Sequence, residues 1–418
     1  MTWNPQQIEK TAITGWKNCA TYYSGKWYVA LVSSDKKTFS IYSSPDGTTW
    51  NYETGTTPPI GTNEVLGNYS FHIDEDGYAY LLWRTGIQSP GYRWLRTTRP
   101  IYEYWEFDTV RTDGCFANNT NHFDKPVITS LKIGTTTYLH FFMSRFNGTY
   151  YLAKHNYSTD QGTTWIDEQD IYDSSNNHSY TIDTENSSDD KVWILYKNSW
   201  YDPDLLAYVN DICFRAWDYN NPDPASKWGE KIRIPNPGKH SSDYMAIDSQ
   251  DNLVLYYLDY ISDEILFTWG KNEQDLQNNK ETVGYIGSNL YSVGTFMLSG
   301  DRPVACYQIK EPYGSYYDYS KWYSARKTES GYVYNILEYD FSQQRSFSMG
   351  KANERLFIRT DSVNANPSVT YDYAYFVEMV DYADAISHLP PAGGGRKVNK
   401  ISFKGLHTNS KIRIGGLR

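Results

Sequence analysis

Seven short segments of aromatic and β-branched residues, each entered from a polar turn, recur along this chain and confine it to a narrow set of folds. They begin at Lys26, Gly77, Thr137, Lys191, Asn252, Arg302 and Arg355, giving spacings of 51, 60, 54, 61, 50 and 53. Lys26-Trp27-Tyr28-Val29-Ala30-Leu31 and Lys191-Val192-Trp193-Ile194-Leu195-Tyr196 show the pattern. A period near fifty residues, with room for several strands in each, marks a β-propeller blade. One blade cannot bury both of its faces, so the units must stack around an axis, which also leaves few exposed edges. Seven blades over residues 1–390 are expected, with six as the alternative count.

The turns agree with this reading. Phe71-His72-Ile73-Asp74-Glu75-Asp76-Gly77 and Ile247-Asp248-Ser249-Gln250-Asp251-Asn252 place Asp-Gly and Asp-Asn where a tight hairpin needs positive φ. Forty Tyr, fourteen Trp and sixteen Phe favour strands, and no long segment has the i, i+3, i+4, i+7 spacing of an amphipathic helix. The fold class is all-β. A mean hydropathy of −0.66 and a formal net charge of −10 describe a water-soluble, ordered chain. No run approaches the roughly 18 apolar residues of a membrane helix, and the first residues lack the basic start and apolar stretch of a signal peptide, so no membrane insertion is expected. Cys19, Cys115, Cys213 and Cys306 lie roughly a hundred residues apart without a CxxC pair. They read as buried or half-buried thiols, and neither a metal nor a cofactor is expected.

Two segments carry a family resemblance. Ser43-Ser44-Pro45-Asp46-Gly47-Thr48-Thr49-Trp50 and Ser158-Thr159-Asp160-Gln161-Gly162-Thr163-Thr164-Trp165 resemble the Asp-box, or BNR repeat, of sialidases and many other propellers. The resemblance implies a structural role in which the Asp caps a turn between outer strands and the Trp packs beneath it, so neither Asp46 nor Asp160 is read as catalytic. Ile73-Asp74-Glu75-Asp76-Gly77-Tyr78, followed by Tyr92-Arg93-Trp94-Leu95-Arg96-Thr97-Thr98-Arg99-Pro100, resembles the blades of the BNR-repeat propellers that include the ulvan lyases. In those lyases, histidines stand before the Ile-Asp-x-Asp-Gly hairpin and after the strand that follows it. The matching places here are Leu66 and Gly86, which cannot transfer a proton, and the expected tyrosine falls on Lys125. The arginine is present as Arg145. The missing groups speak against lyase activity by that route. Ile232-Arg233-Ile234-Pro235 is similar to a sialidase segment but follows both Asp-boxes instead of preceding them, and it is read as strand composition.

A displaced catalytic site is the second reading. His122, His178 and His240 each fall just before the innermost strand of successive blades, and such entries gather around one mouth of the channel, where Arg145 would join them. For binding, the segment from Trp83 to Trp94 mixes rings with arginines and makes Arg84, Tyr92 and Arg93 candidates for an acidic glycan. Tyr313, Tyr316 and Tyr317, in a segment read as a tyrosine-rich loop, are candidates for stacking on sugar rings.

After Gly393-Gly394-Gly395, a flexible hinge, come Arg396, Lys397, Lys400, Lys404, Lys411, Arg413 and Arg418 with no acid. Residues 391–418 thus carry +7 of an overall −10, leaving −17 on residues 1–390. An acidic body disfavours nucleic acid as a partner. Ile401, Phe403 and Ile412 alternate with polar residues, so the tail is expected to be a short basic β arm that docks on another protein of an assembly.

The leading expectation is a non-catalytic, glycan-recognising propeller that serves as a component of a larger assembly, with a phage tail or surface protein as its concrete form. Such a part acts outside the cell after lysis and needs no secretion signal. The alternative is a carbohydrate-active enzyme, a polysaccharide lyase or glycoside hydrolase, with its site at the channel mouth.

Overall fold

A computed structural model of the chain describes residues 6–10, 20–32, 37–45, 49–58, 66–85, 91–115, 126–172, 177–203, 207–221, 227–234, 240–242, 244–259, 261–285, 290–298, 300–313, 317–328, 331–336, 344–352, 355–363 and 370–378. Asp46, Gly86, His122, Lys125, Tyr316 and the whole basic arm, including Arg396, Lys397, Lys400, Ile401, Phe403, Lys404, Lys411, Ile412 and Arg413, lie outside these residues.

The strands form seven antiparallel sheets among the described residues. β1 (Gln6–Lys10) comes first in the chain. The first sheet follows with β2 (Ala20–Tyr23), β3 (Lys26–Val32), β4 (Phe39–Ser44) and β5 (Asn51–Thr56); the second has β6 (Leu66–Ile73), β7 (Ala79–Thr85) and β8 (Tyr92–Arg96). The third is β9 (Val127–Ile133), β10 (Thr136–Phe146), β11 (Tyr151–Ser158) and β12 (Ile166–Asp170), and the fourth is β13 (His178–Asn186), β14 (Lys191–Asp202), β15 (Ala207–Asp218) and β16 (Ile232–Arg233). In the fifth, β17 (His240–Ser241) and β18 (Ala246–Ile247) share β19 (Leu253–Asp259), followed by β20 (Glu264–Gly270) and β21 (Glu281–Tyr285). The sixth is β22 (Leu290–Leu298), β23 (Arg302–Tyr313), β24 (Tyr317–Thr328) and β25 (Gly331–Ile336). The seventh is β26 (Gln344–Ala352), β27 (Arg355–Val363) and β28 (Thr370–Glu378), with β1 as its outer strand.

First strands stand side by side around the molecule: β2 by β6, β6 by β9, β9 by β13, β13 by β18, β18 by β22, and β26 by β2. Pairing of Gln6 with Phe376 joins the two ends of the described chain in one sheet. This is a propeller arrangement.

The seven segments read from the sequence fall on β3, β7, β10, β14, β19, β23 and β27, the second strand of each sheet. Burial explains why they stand out. Along β7, Leu81 and Trp83 pack towards the first sheet, while Tyr80 and Leu82 pack with Phe141 and Met143 of the third. In the same way Ile194 and Tyr196 meet Phe142 of the third sheet while Leu195 meets Leu253 and Leu255 of the fifth. A strand covered on both faces reads as a nearly continuous apolar run, and fully burying each large side chain contributes about 1.5–3 kcal/mol. The core is therefore a series of wedges between sheets, which only stacking can complete.

Three features depart from simple repetition. In the second sheet a fourth strand is replaced by two isolated bridges, Trp94 with Arg111 and Thr97 with Phe107. A six-residue helix, α1 (Glu273–Asn278), interrupts the fifth sheet, its end capped by the Asn272 side chain accepting from the Asp275 N–H at 2.9 Å. It packs close to β20 at Gly270, where a Cβ would come 2.2 Å from Asp275 Cβ. The tyrosine-rich segment expected as a loop is instead a hairpin: β23 runs to Tyr313 and β24 starts at Tyr317, which pair across it. Alternating tyrosines suit a pleated strand, and that preference outweighs the Pro-Tyr-Gly turn signal except at the tip.

No helix among the described residues is long and apolar enough to cross a membrane. Among the described residues Cys115, Cys213 and Cys306 are in no disulfide, and the last two are buried; Cys19 lies outside the described residues.

Candidate functional site at one mouth of the channel

Antiparallel pairing brings the start of each first strand to the end of the second and the start of the third. Leu66 pairs with Thr85, Arg84 with Tyr92, His178 with Ser199 and His240 with Asp259. One end of the molecule thus gathers Arg84, Tyr92, Arg93, Arg145, His178, His240, Tyr313 and Tyr317. β14, β15, β23 and β24 are each 12 residues long, so two hairpins, on the fourth and sixth sheets, extend furthest at this mouth.

The centre of the described part is built from the third and fourth sheets. Arg145 is exposed on β10 opposite Leu152. His178 opens β13, and its Nδ1 accepts the Tyr151 N–H at 3.3 Å. Arg145 pairs with Leu152, one position along β11 from the Tyr151 that His178 touches, and shares its face of β10 with Met143, which packs towards the second sheet. Ser179 fastens the strands together by accepting the Ala153 N–H at 2.7 Å. Tyr150, Tyr151 and Tyr180 surround the imidazole, with ring centroids 5.3, 5.6 and 6.0 Å away and Tyr180 nearly parallel to it.

This geometry constrains the chemistry of His178. Burial lowers its pKa, so the ring is neutral near pH 7. With Nδ1 accepting from a backbone N–H, the ring's own proton sits on Nε2. His178 is therefore set to donate a hydrogen bond into the mouth, and its only lone pair is already engaged.

Tyr92 and Arg84 are buried, at 0% and 5% exposure. The Tyr92 hydroxyl donates to the Ser144 carbonyl at 3.2 Å and accepts from its N–H at 3.3 Å, crossing from the second sheet to the third. Tyr92 thus lies in the interior and fixes the residue next to Arg145, in place of the surface stacking expected of it. Arg93, half-buried, donates to the Tyr92 carbonyl at 3.0 Å. Leu66, at the place of an expected histidine, is fully buried.

A further polar group stands here that no sequence pattern marks. On the fourth sheet the rows His178–Ser199–Asn210 and Ser179–Asn198–Asp211 are polar throughout, whereas deeper rows carry Ile194, Leu195 and Tyr196. Asp211 is 3% exposed, its Oδ1 has no hydrogen-bond partner, and burial raises its pKa despite Arg233 and Lys231. At the far end of the channel, His72 Nε2 lies 2.8 Å from the Ser130 hydroxyl, which donates to Glu75 at 2.8 Å. Among the described residues, no three His, Cys, Asp or Glu side chains stand close enough to hold one metal ion.

Asp160 takes the capping role expected of it between β11 and β12. Its carboxylate accepts from the Thr164 N–H and hydroxyl at 2.8 and 2.7 Å and from the Ser158 hydroxyl at 2.8 Å. Trp165 packs on Phe141 and Trp94, at 4.4 and 5.6 Å between ring centroids.

No protein-family model and no curated protein sequence matches the chain. Solved structures do resemble it. The polysaccharide lyase Uly1 is 9% identical, with a TM-score of 0.52 over 90% of this chain and 99% of its own. An α-L-arabinanase of Penicillium chrysogenum is 11% identical, with a TM-score of 0.51 over 90% and 98%. An α-L-arabinofuranosidase of Fusarium graminearum is 11% identical, with a TM-score of 0.50 over the same shares. These likenesses show the propeller fold. The neighbours are carbohydrate-active enzymes, and none of them speaks for a virion part.

Proposed function

We propose that the seven sheets are seven blades of one closed propeller and that its mouth binds and cleaves an acidic polysaccharide. The observation that carries this reading is His178, set among Tyr150, Tyr151 and Tyr180 with its Nε2–H directed away from the Tyr151 bond, at the same end of the molecule as the exposed Arg145. An exposed guanidinium can hold a uronate carboxylate, the His178 Nε2–H can donate to a ring or bridging oxygen, and Tyr150 offers a face for a sugar. The carbohydrate-active neighbours support this alternative over a structural role.

Recognition without cleavage is the second reading, with the chain as a component of an assembly such as a virion. One observation favours it: Leu66 is buried where the resembled lyases carry a histidine. The basic arm of residues 391–418 would then hold the chain to a protein partner, which truncation after Pro391 tests by loss of assembly at unchanged melting temperature.

The two readings separate in one experiment. The protein is incubated with an array of acidic and neutral polysaccharides while retention and new unsaturated or reducing ends are both followed. Product from a uronate polymer supports cleavage; retention without product supports recognition alone. Neither, on any polymer, overturns both.

A further inference from the structure

On the end of the molecule away from the mouth, the connection of residues 97–107 after β8 holds two tyrosines into solvent. Tyr102 is 69% and Tyr104 64% exposed. The connection itself is firmly held. Thr98 donates its N–H to the Glu106 carbonyl at 2.7 Å and its hydroxyl to the Glu106 carboxylate at 2.9 Å, and the Ile101 N–H reaches the Gly77 carbonyl at 2.8 Å. Ile101 is buried, and Trp105 packs on Tyr28 with centroids 6.0 Å apart.

Tyr102 lies against the β6–β7 turn. Gly77 has φ +87°, and a Cβ there would meet the Tyr102 ring at 3.1 Å and the Tyr23 hydroxyl at 2.7 Å. Tyr22, next along β2, is 39% exposed and packs on Trp27 at 5.1 Å. Two ion pairs lie nearby, Lys132 with Asp76 and Arg99 with Glu106, and Glu103 stands exposed between the two tyrosines.

We propose that Tyr102 and Tyr104, with Tyr23 beside Tyr102, form a second glycan-binding surface that takes uncharged sugar residues. This rests on the reading of the chain as a glycan-active protein, but it uses neither Arg145 nor His178. Rings held by their own backbone bind with little further loss of freedom, and tyrosine gives an apolar face with a polar edge, as a sugar ring requires. The exposed carboxylate of Glu103 between the two rings repels a uronate and leaves an uncharged sugar as the fitting occupant. A polymer held at this end would be kept near the molecule while another stretch of chain occupies the mouth, raising its effective concentration there.

The test is affinity electrophoresis in gels containing arabinan, xylan or laminarin, comparing wild type with Y102A/Y104A, Y102F/Y104F and R145A, with circular dichroism as a check on folding. At least one neutral polymer should retard the wild type. Y102A/Y104A should lose about tenfold or more in affinity, whereas the phenylalanine variant and R145A should keep most of it. Equal retardation of wild type and Y102A/Y104A, or none of the wild type by any neutral polymer, overturns the proposal. So does a surface that proves to join two copies of the chain, seen as a dimer in sedimentation that Y102A/Y104A abolishes without any change in glycan retention. Failure of the mouth reading would show elsewhere, as unchanged turnover of acidic polymers by R145A.

Discussion

Ser188, in the turn between β13 and β14, donates both its backbone N–H and its hydroxyl, each at 2.8 Å, to the carboxylate of Asp251, 63 positions further on in the next sheet. The same pairing recurs one sheet later, where Ser249 donates its N–H and hydroxyl to Asp301. Asp251 and Asp301 both have positive φ, 59° and 55°, which turns each carboxylate towards the preceding sheet. Adjacent sheets are thus latched at their turns as well as packed along their faces.

Replacing Asp251 by Ala should cost about 1–2 kcal/mol, the value of two charge-assisted bonds reduced for their exposure. S188A, which keeps the backbone bond, should cost about half as much. Urea unfolding of both variants and of the double variant reads the coupling directly, and additive losses would show that the pair is no latch.

The Asp160 cap gives a second stability test. Burial alone would raise its pKa, but the bonds from Thr164 and Ser158 outweigh that and hold it below the usual carboxylate value. A carboxyl lowered by folding adds stability above its unfolded pKa of about 3.9 and loses it as the pH falls through the folded value. D160A should therefore be less stable than wild type at pH 7, by about 1–2 kcal/mol, with the gap closing in strong acid. A constant gap across the acid range would place the loss in packing of Trp165 instead.

Acid should also act through the third sheet. His140 Nδ1 and His155 Nε2 are 2.9 Å apart, both fully buried among Phe142, Tyr157, Trp217 and Trp228. Burial drives both pKa values down, that of His155 to about 3. The unfolded chain, with histidines near 6.5, takes up protons first on acidification. Stability from this pair is therefore complete above about pH 6.5 and lost as the pH falls towards 3, by about 1.4 kcal/mol per pH unit for each site. H155F, which keeps an aromatic ring in the stack, should flatten that slope by about one proton in chemical denaturation between pH 6.5 and 4.

Asp211 has the opposite sign. Its raised pKa means that folding favours the neutral carboxyl, so its contribution is present below the unfolded pKa and lost as the pH rises through the folded one. D211N should be more stable than wild type at pH 7. A residue that costs stability and stands one row from His178 is a candidate for use at the mouth, and a fall in polysaccharide turnover by D211N would bear that out.

What the sequence reveals follows burial. The second strands are covered on both faces and show as aromatic runs, while outer strands such as β5 and β16 carry few such residues and lie between them unannounced. Closure by β1 joins residues about 370 positions apart, and no local pattern encodes that pairing. At the mouth, the order of the chain places His178 and His240 at the starts of β13 and β17. The bond from Tyr151 that decides which imidazole nitrogen carries the proton depends on contact between two sheets, and so does the burial of Tyr92. Asp211 gives no signal because an aspartate in a strand looks the same whether water or another sheet covers it.

The direct test of the mouth is the kcat/KM of wild type and R145A on the uronate polysaccharide that the array identifies. Loss of about 10- to 100-fold in R145A, with Y102A/Y104A keeping its turnover of short oligosaccharides, is the expected result, since removing a charge-assisted bond to a carboxylate costs about 1.5–3 kcal/mol. Turnover by R145A equal to that of wild type would contradict the placing of the site at Arg145 and His178.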